Sequence, residues 1–137
     1  MAMNTFRTLL NDITKRPGIY VGTCSVIEVS HYLYGYDHAL VDNGICRHED
    51  SPLYGWMRWV ELHFLISSSA WNWTRILLHV YGSDQAALDA LPALYDEFLQ
   101  QRALIGPHGI EAERERRFIT EYGESWHVPE VTTTHDP

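Results

Sequence analysis

Residues 86–99 read AALDALPALYDEFL, and the periodicity of this stretch decides the fold. Ala87, Leu88, Leu91, Leu94, Tyr95, Phe98 and Leu99 recur at spacings of three and four, which on an α-helix places them on one apolar stripe. Pro92 interrupts the pattern. It removes a backbone donor and crowds the preceding turn, so the helix is expected to kink or split there. Ser83 stands where a capping residue belongs.

The same spacing extends outward in both directions. Upstream, Trp73, Ile76, Leu77, Val80 and Tyr81 continue it to Gly82, with a buried strand over 76–81 as the competing reading. Ser67, Ser68 and Ser69 mark a break. Before them, Leu53, Trp56, Trp59, Val60, His63 and Phe64 form one helical face, and Ser51-Pro52 predicts its start, as cap followed by first-turn proline. Ser25-Val26-Ile27-Glu28 has capping-box spacing and opens a helix of about sixteen residues that ends at Asn43-Gly44. Phe6, Leu9, Leu10 and Ile13 give a first helix, capped by Asn4 or Thr5 and stopped by Pro17. Downstream, Gly106-Pro107-His108-Gly109 is a firm break, and 110–122 form a short, highly charged helix. The expectation is a mainly α, single-domain bundle of five to six helices over 1–127, followed by a tail, 128–137, with little to bury.

At 137 residues and 45% apolar, the chain suits one domain with a true core. No run of about 18 apolar residues suggests a membrane span, and the N-terminus lacks the pattern of a signal peptide, so a cytoplasmic protein is expected. Cys24 and Cys46 show no CxxC spacing and read as two buried thiols. The net charge of −8 is concentrated after residue 83, where eleven acids stand against four arginines. A phosphate backbone demands a basic face, so nucleic acid is not an expected partner; a basic protein is.

No catalytic or metal motif assembles from the sequence. Arg16-Pro17-Gly18-Ile19-Tyr20-Val21-Gly22 resembles the segment before the ATP pocket of gyrase-type ATPases, but the helix with a catalytic glutamate and the Asp-x-Gly-x-Gly turn do not follow. The stretch reads as a connector, with Ile19, Tyr20 and Val21 anchored on the core. The eight histidines lack chelating spacing; His31 and His38 would stand about 10 Å apart along a helix. Neither metal nor cofactor is expected. The aromatic content of the middle of the chain is unusual, and Tyr34, Tyr54 and Trp71, each beside a break, are candidate contact anchors.

The N-terminal helix, the Arg16–Gly22 stretch, Gly35-Tyr36, the Trp-rich middle, Asp84-x-x-Ala87 and Leu94-x-Asp96-Glu97-Phe98-Leu99 together resemble a group of small bacterial proteins. Several of these resemble immunity proteins encoded beside polymorphic or contact-dependent toxins. The likeness covers about residues 3–100, and Pro92 departs from the uninterrupted final helix of that group. It implies a non-enzymatic inhibitor that binds and neutralises a cognate, basic toxin. The expected contact residues are Tyr34, Tyr54 and Trp71 as anchors and Asp84, Asp89, Asp96 and Glu97 as acids that attract the partner. The alternatives are a small enzyme or ligand-binding protein with a pocket between the aromatic helices, and a homodimeric structural module.

Overall fold

The computed structural model describes residues 2–66 and 71–123, and among these the chain is a single all-helical domain with no strand. Six α-helices follow in order: α1 (Ala2–Lys15), α2 (Pro17–Val21), α3 (Val26–Asp42), α4 (Trp56–Phe64), α5 (Trp73–Tyr81) and α6 (Asp84–Tyr122). A short 3-10 turn, His48–Asp50, precedes α4. The reading of 76–81 as helix holds. Several caps also fall where the residue types put them: the Ser25 and Ser83 hydroxyls accept the Glu28 and Ala86 amides, and Gly82 ends α5.

Other boundaries differ from expectation, each for a physical reason. Asn4 and Thr5 lie inside α1, which begins before them. The Arg16–Gly22 connector is itself a short helix; Pro17 is buried and Tyr20 packs edge-on against Tyr32, but Ile19 is 74% exposed and anchors nothing. Cys24 is exposed, against the expectation of a buried thiol. The Ser67–Ser69 break and the 128–137 tail lie outside the described residues.

Ser51-Pro52 does not open α4. The backbone groups that would enter a helix there are taken by side chains from other helices. The Leu53 amide donates to Asp37 Oδ1 of α3 at 2.8 Å, and the Pro52 carbonyl accepts from the Tyr95 hydroxyl of α6 at 2.8 Å. The Ser51 and Tyr54 carbonyls accept from Arg102 Nη1 at 2.8 and 3.1 Å. Gly55 then adopts φ 88°, a left-handed conformation no regular helix accepts, and α4 starts at Trp56. Tertiary hydrogen bonds override a sound local signal.

Pro92 does not split α6. The dihedrals stay helical through it, and the one departure is Gly106 at φ 75° and ψ 167°, a region open essentially to glycine alone. Gly106 is thus the whole of the break expected over 106–109, and Pro107 begins the next turn, where its missing N–H costs little. The two stretches of α6 pass α4 in opposite senses. Along 84–105, Phe98 packs on Trp59, Glu97 stands 4.0 Å from His63, and Arg102 reaches back to Tyr54, so the run is antiparallel. Along 107–122, Pro107 lies beside Gly55, Glu111 pairs with Arg58, Arg114 with Glu61, and Tyr122 with Leu65, so this arm is parallel.

The core is centred on Trp56, whose ring lies 5.5 to 5.8 Å from those of Trp59, Trp73, Tyr95 and Phe98. Phe6, Leu10 and Ile13 of α1 and Val26, Val29 and Leu33 of α3 complete it. Offset and edge-on aromatic contacts of this kind add about 0.5–1.5 kcal/mol per pair beyond area burial. The large aromatic content of the middle of the chain is therefore mostly core, with consequences for which aromatics remain outside.

Candidate functional site

Among the partly exposed aromatics, which include Tyr32 and Tyr122, the three candidate anchors Tyr34, Tyr54 and Trp71 line two neighbouring depressions. A groove of about 730 Å³ lies between α3 and the N-terminal ends of α4 and α5, walled by Ile27, Tyr34, Met57, Trp71 and Leu78 with Asn72, Thr74 and Arg75 along one side. A second depression of about 390 Å³ includes Tyr34, Asp37, His48, Tyr54, Met57 and Arg58. Tyr34 and Met57 line both, so the two depressions adjoin and together form a trough, with Trp71 lining the first, Tyr54 the second and Tyr34 both.

Each anchor is oriented by its neighbours. Tyr34, 41% exposed, accepts a hydrogen bond from the Trp73 indole N–H at 2.9 Å, which ties an exposed ring to a fully buried one. Burial raises the Tyr34 pKa, and the bond from Trp73 only partly offsets this, so the hydroxyl keeps a proton to donate outward. Tyr54 sits on the loop that Asp37, Tyr95 and Arg102 hold in place, and its ring meets His48 edge-on at 5.0 Å. Trp71 packs against the core, has His79 at 5.2 Å, and carries the Arg75 guanidinium 5.9 Å above its ring.

The four acids go elsewhere. Asp84 accepts the Val26 amide at 2.8 Å and so joins the starts of α6 and α3. Asp96 forms a two-pronged pair with Arg7, at 2.7 and 2.9 Å, that ties α6 to α1. That pairing lowers the Asp96 pKa, through the hydrogen bond first and the charge second, and raises that of Arg7. Asp89 and Glu97 are exposed; Asp89 accepts from Gln85 at 2.9 Å and Glu97 stands near His63. None of the four lines the trough. Asp84 and Asp96 thus make contacts that tie helices together, while Asp89 and Glu97 are the more exposed of the four.

Sequence reasoning missed Met57 and Arg75. For Arg75 the signal was ambiguous: α5 opens Trp73-Thr74-Arg75 with no acid in its first turn, although the positive end of a helix favours acids and disfavours cations. Arg58 holds the same third position in α4, also without an acid in the first turn, so the position alone does not single Arg75 out. Among the described residues, no group of three or more histidine, cysteine or acidic side chains could hold a metal ion. Comparison with family models, curated proteins and solved structures returned no match.

Proposed function

We propose that this protein is a non-catalytic immunity-type inhibitor that binds a cognate toxin, and that the aromatic trough between α3, α4 and α5 is its docking face. The observation that carries the reading is the convergence of Tyr34, Tyr54 and Trp71, which come from three separate segments, on one open trough. Aromatic side chains with polar tips, preset by hydrogen bonds and stacking, lose little entropy on binding and dominate interface energetics. The acidic excess after residue 83 adds long-range attraction for a basic partner, with Asp89 and Glu97 among the acids left exposed. No helix among the described residues is long and apolar enough to cross a membrane, and the proposed site of action is the cytoplasm.

The test is direct. The reading predicts that a neighbouring gene encodes a toxin and that the purified protein, mixed with that toxin, binds it and suppresses its activity in proportion to occupancy. Absence of binding at micromolar concentrations overturns the reading. A second reading, a small-molecule binder, draws on the groove's volume, which falls in the range of about 300–1,000 Å³ usual for ligand sites. It is favoured if a small molecule co-purifies and raises the melting temperature on being added back.

A further inference from the structure

We propose that the groove of the trough receives an apolar side chain of the partner protein with a carboxylate beside it, and that Arg75 takes the carboxylate. This rests on the docking reading above and specifies what is docked. Ile27, Met57, Trp71 and Leu78 give the groove an apolar lining, and among the described residues its only formally charged group is Arg75. Asn72 and Tyr34 have donors to offer there, whereas the Thr74 hydroxyl gives its proton to Asn72. Asn72 spends its carbonyl oxygen on the Thr74 and Arg75 amides and on the Thr74 hydroxyl, which leaves its NH₂ to point outward. Tyr34 has accepted from Trp73 and keeps its own proton to give.

Arg7, Arg47, Arg58, Arg114 and Arg116 each have a carboxylate within 4 Å. Arg75 shares with Arg16, Arg102 and Arg117 the lack of a carboxylate within that distance among the described residues, and differs from them in lining the groove. Its guanidinium is instead held over the Trp71 ring, which fixes its direction while leaving its donors open. Asn72, Tyr34 and Arg75 thus offer donors and one cation beside an apolar cleft, and the complement is a carboxylate next to a hydrophobic group. The assignment is local: a toxin that is basic overall meets this groove through an acidic residue, while Asp89 and Glu97 act on its wider surface.

The experiment uses three probes of one shape, 3-phenylpropionate, 3-phenylpropanamide and 3-phenylpropylamine, titrated at low salt into the isotope-labelled full chain and followed by NMR. The carboxylate is expected to move the signals of Tyr34, Trp71 and Arg75, with a Kd at least about fivefold below that of the amide, and the amine to bind most weakly. In Arg75→Gln the acid and the amide should bind alike, and in Arg75→Glu the amine should bind better than the acid. Three results overturn the assignment: equal or better binding of the amine to the unaltered protein, a carboxylate preference that survives Arg75→Gln, or no shift in the groove with any probe at millimolar concentration. A Trp126 indole signal that moves together with the groove signals also overturns it, since the occupant would then be the chain's own C-terminal segment. A carboxylate preference in a protein that fails to bind the neighbouring toxin keeps the groove assignment and removes the inhibitor reading. Toxin binding without the preference does the reverse.

Discussion

The trough and the C-terminal arm both pack against α4, and they treat polar groups in opposite ways. On the arm side, the charges close on one another. Glu61, 4% exposed, pairs with Arg114 at 2.7 Å and with Arg58 at 3.2 Å, while Glu111 bridges both arginines at 3.1 and 3.3 Å. In the larger depression of the trough, Arg75, Asn72 and the Tyr34 hydroxyl keep donors open at the rim of an apolar cleft, whereas Arg58, which lines the smaller one, belongs to the arm's ion pairs. A buried charge without its partner costs several kcal/mol, so the arm's ion pairs are answered inside the molecule. The trough's open donors cost little in water and become valuable when a partner covers them. Polar groups that face each other hold the fold, and those that face outward from an apolar surface are available for recognition.

The largest expected effect lies on the arm side. Glu61→Ala removes the buried carboxylate that Arg114 shares with Arg58, while Glu111 stays 3.1 Å from Arg114, so the loss should sit at the low end for a broken buried pair, about 3 kcal/mol in urea unfolding. Replacing both with apolar residues of similar size, Glu61→Met with Arg114→Leu, should restore most of it. Recovery would show that the pair is retained for a reason other than net stabilisation, whereas a further loss would mean that it contributes on its own account.

Gly106→Ala is next. Its φ of 75° with ψ of 167° should cost about 1–3 kcal/mol, and amide exchange should show the loss confined to 107–122 while 84–105 stay protected. A uniform loss across α6 would mean that the arm and the trough walls unfold as one unit and are not separable.

Smallest is the Arg7–Asp96 tie. Because the Asp96 pKa is depressed in the folded state, its contribution is present above the ordinary carboxylate range and fades as pH falls through the lowered folded value. Asp96→Asn should cost less than about 1 kcal/mol at pH 7, since the carboxylate is 47% exposed, and the difference from the unaltered protein should vanish toward pH 2. A difference that persists at low pH would assign the effect to geometry instead of charge.

The same contrast accounts for what the sequence made legible. Helix α6 could be read from Ala87 to Leu99 because its signal is local and repeated, and Ser25, Ser83 and Gly82 act within one turn of the residues they cap. The loop before α4 was misread because Ser51-Pro52 is a good local start, defeated by Asp37, Tyr95 and Arg102, which lie 14 or more positions away in the chain. The structural contacts of Asp84 and Asp96 are illegible in the sequence for the same reason, since their partners, Val26 and Arg7, lie 58 and 89 positions away. Tyr34, Tyr54 and Trp71 stand out in the sequence for lying beside breaks, and they line two adjoining depressions because breaks fall where helices end and cores thin out. Arg75, which lies on a helix, does not stand out in this way.

The central claim is that the trough binds the partner and the arm does not, and dissociation of the toxin complex measures this most directly. Tyr54→Ala and Trp71→Ala should each speed dissociation by an amount equivalent to about 2 kcal/mol, whereas lysine in place of Asp89 and Glu97 should mainly slow association and flatten its salt dependence. Arm substitutions that preserve the fold, such as Arg116→Gln, should leave both rates unchanged. If Tyr54→Ala and Trp71→Ala lower the melting temperature yet dissociate at the unaltered rate, the trough is core surface only and the account is contradicted.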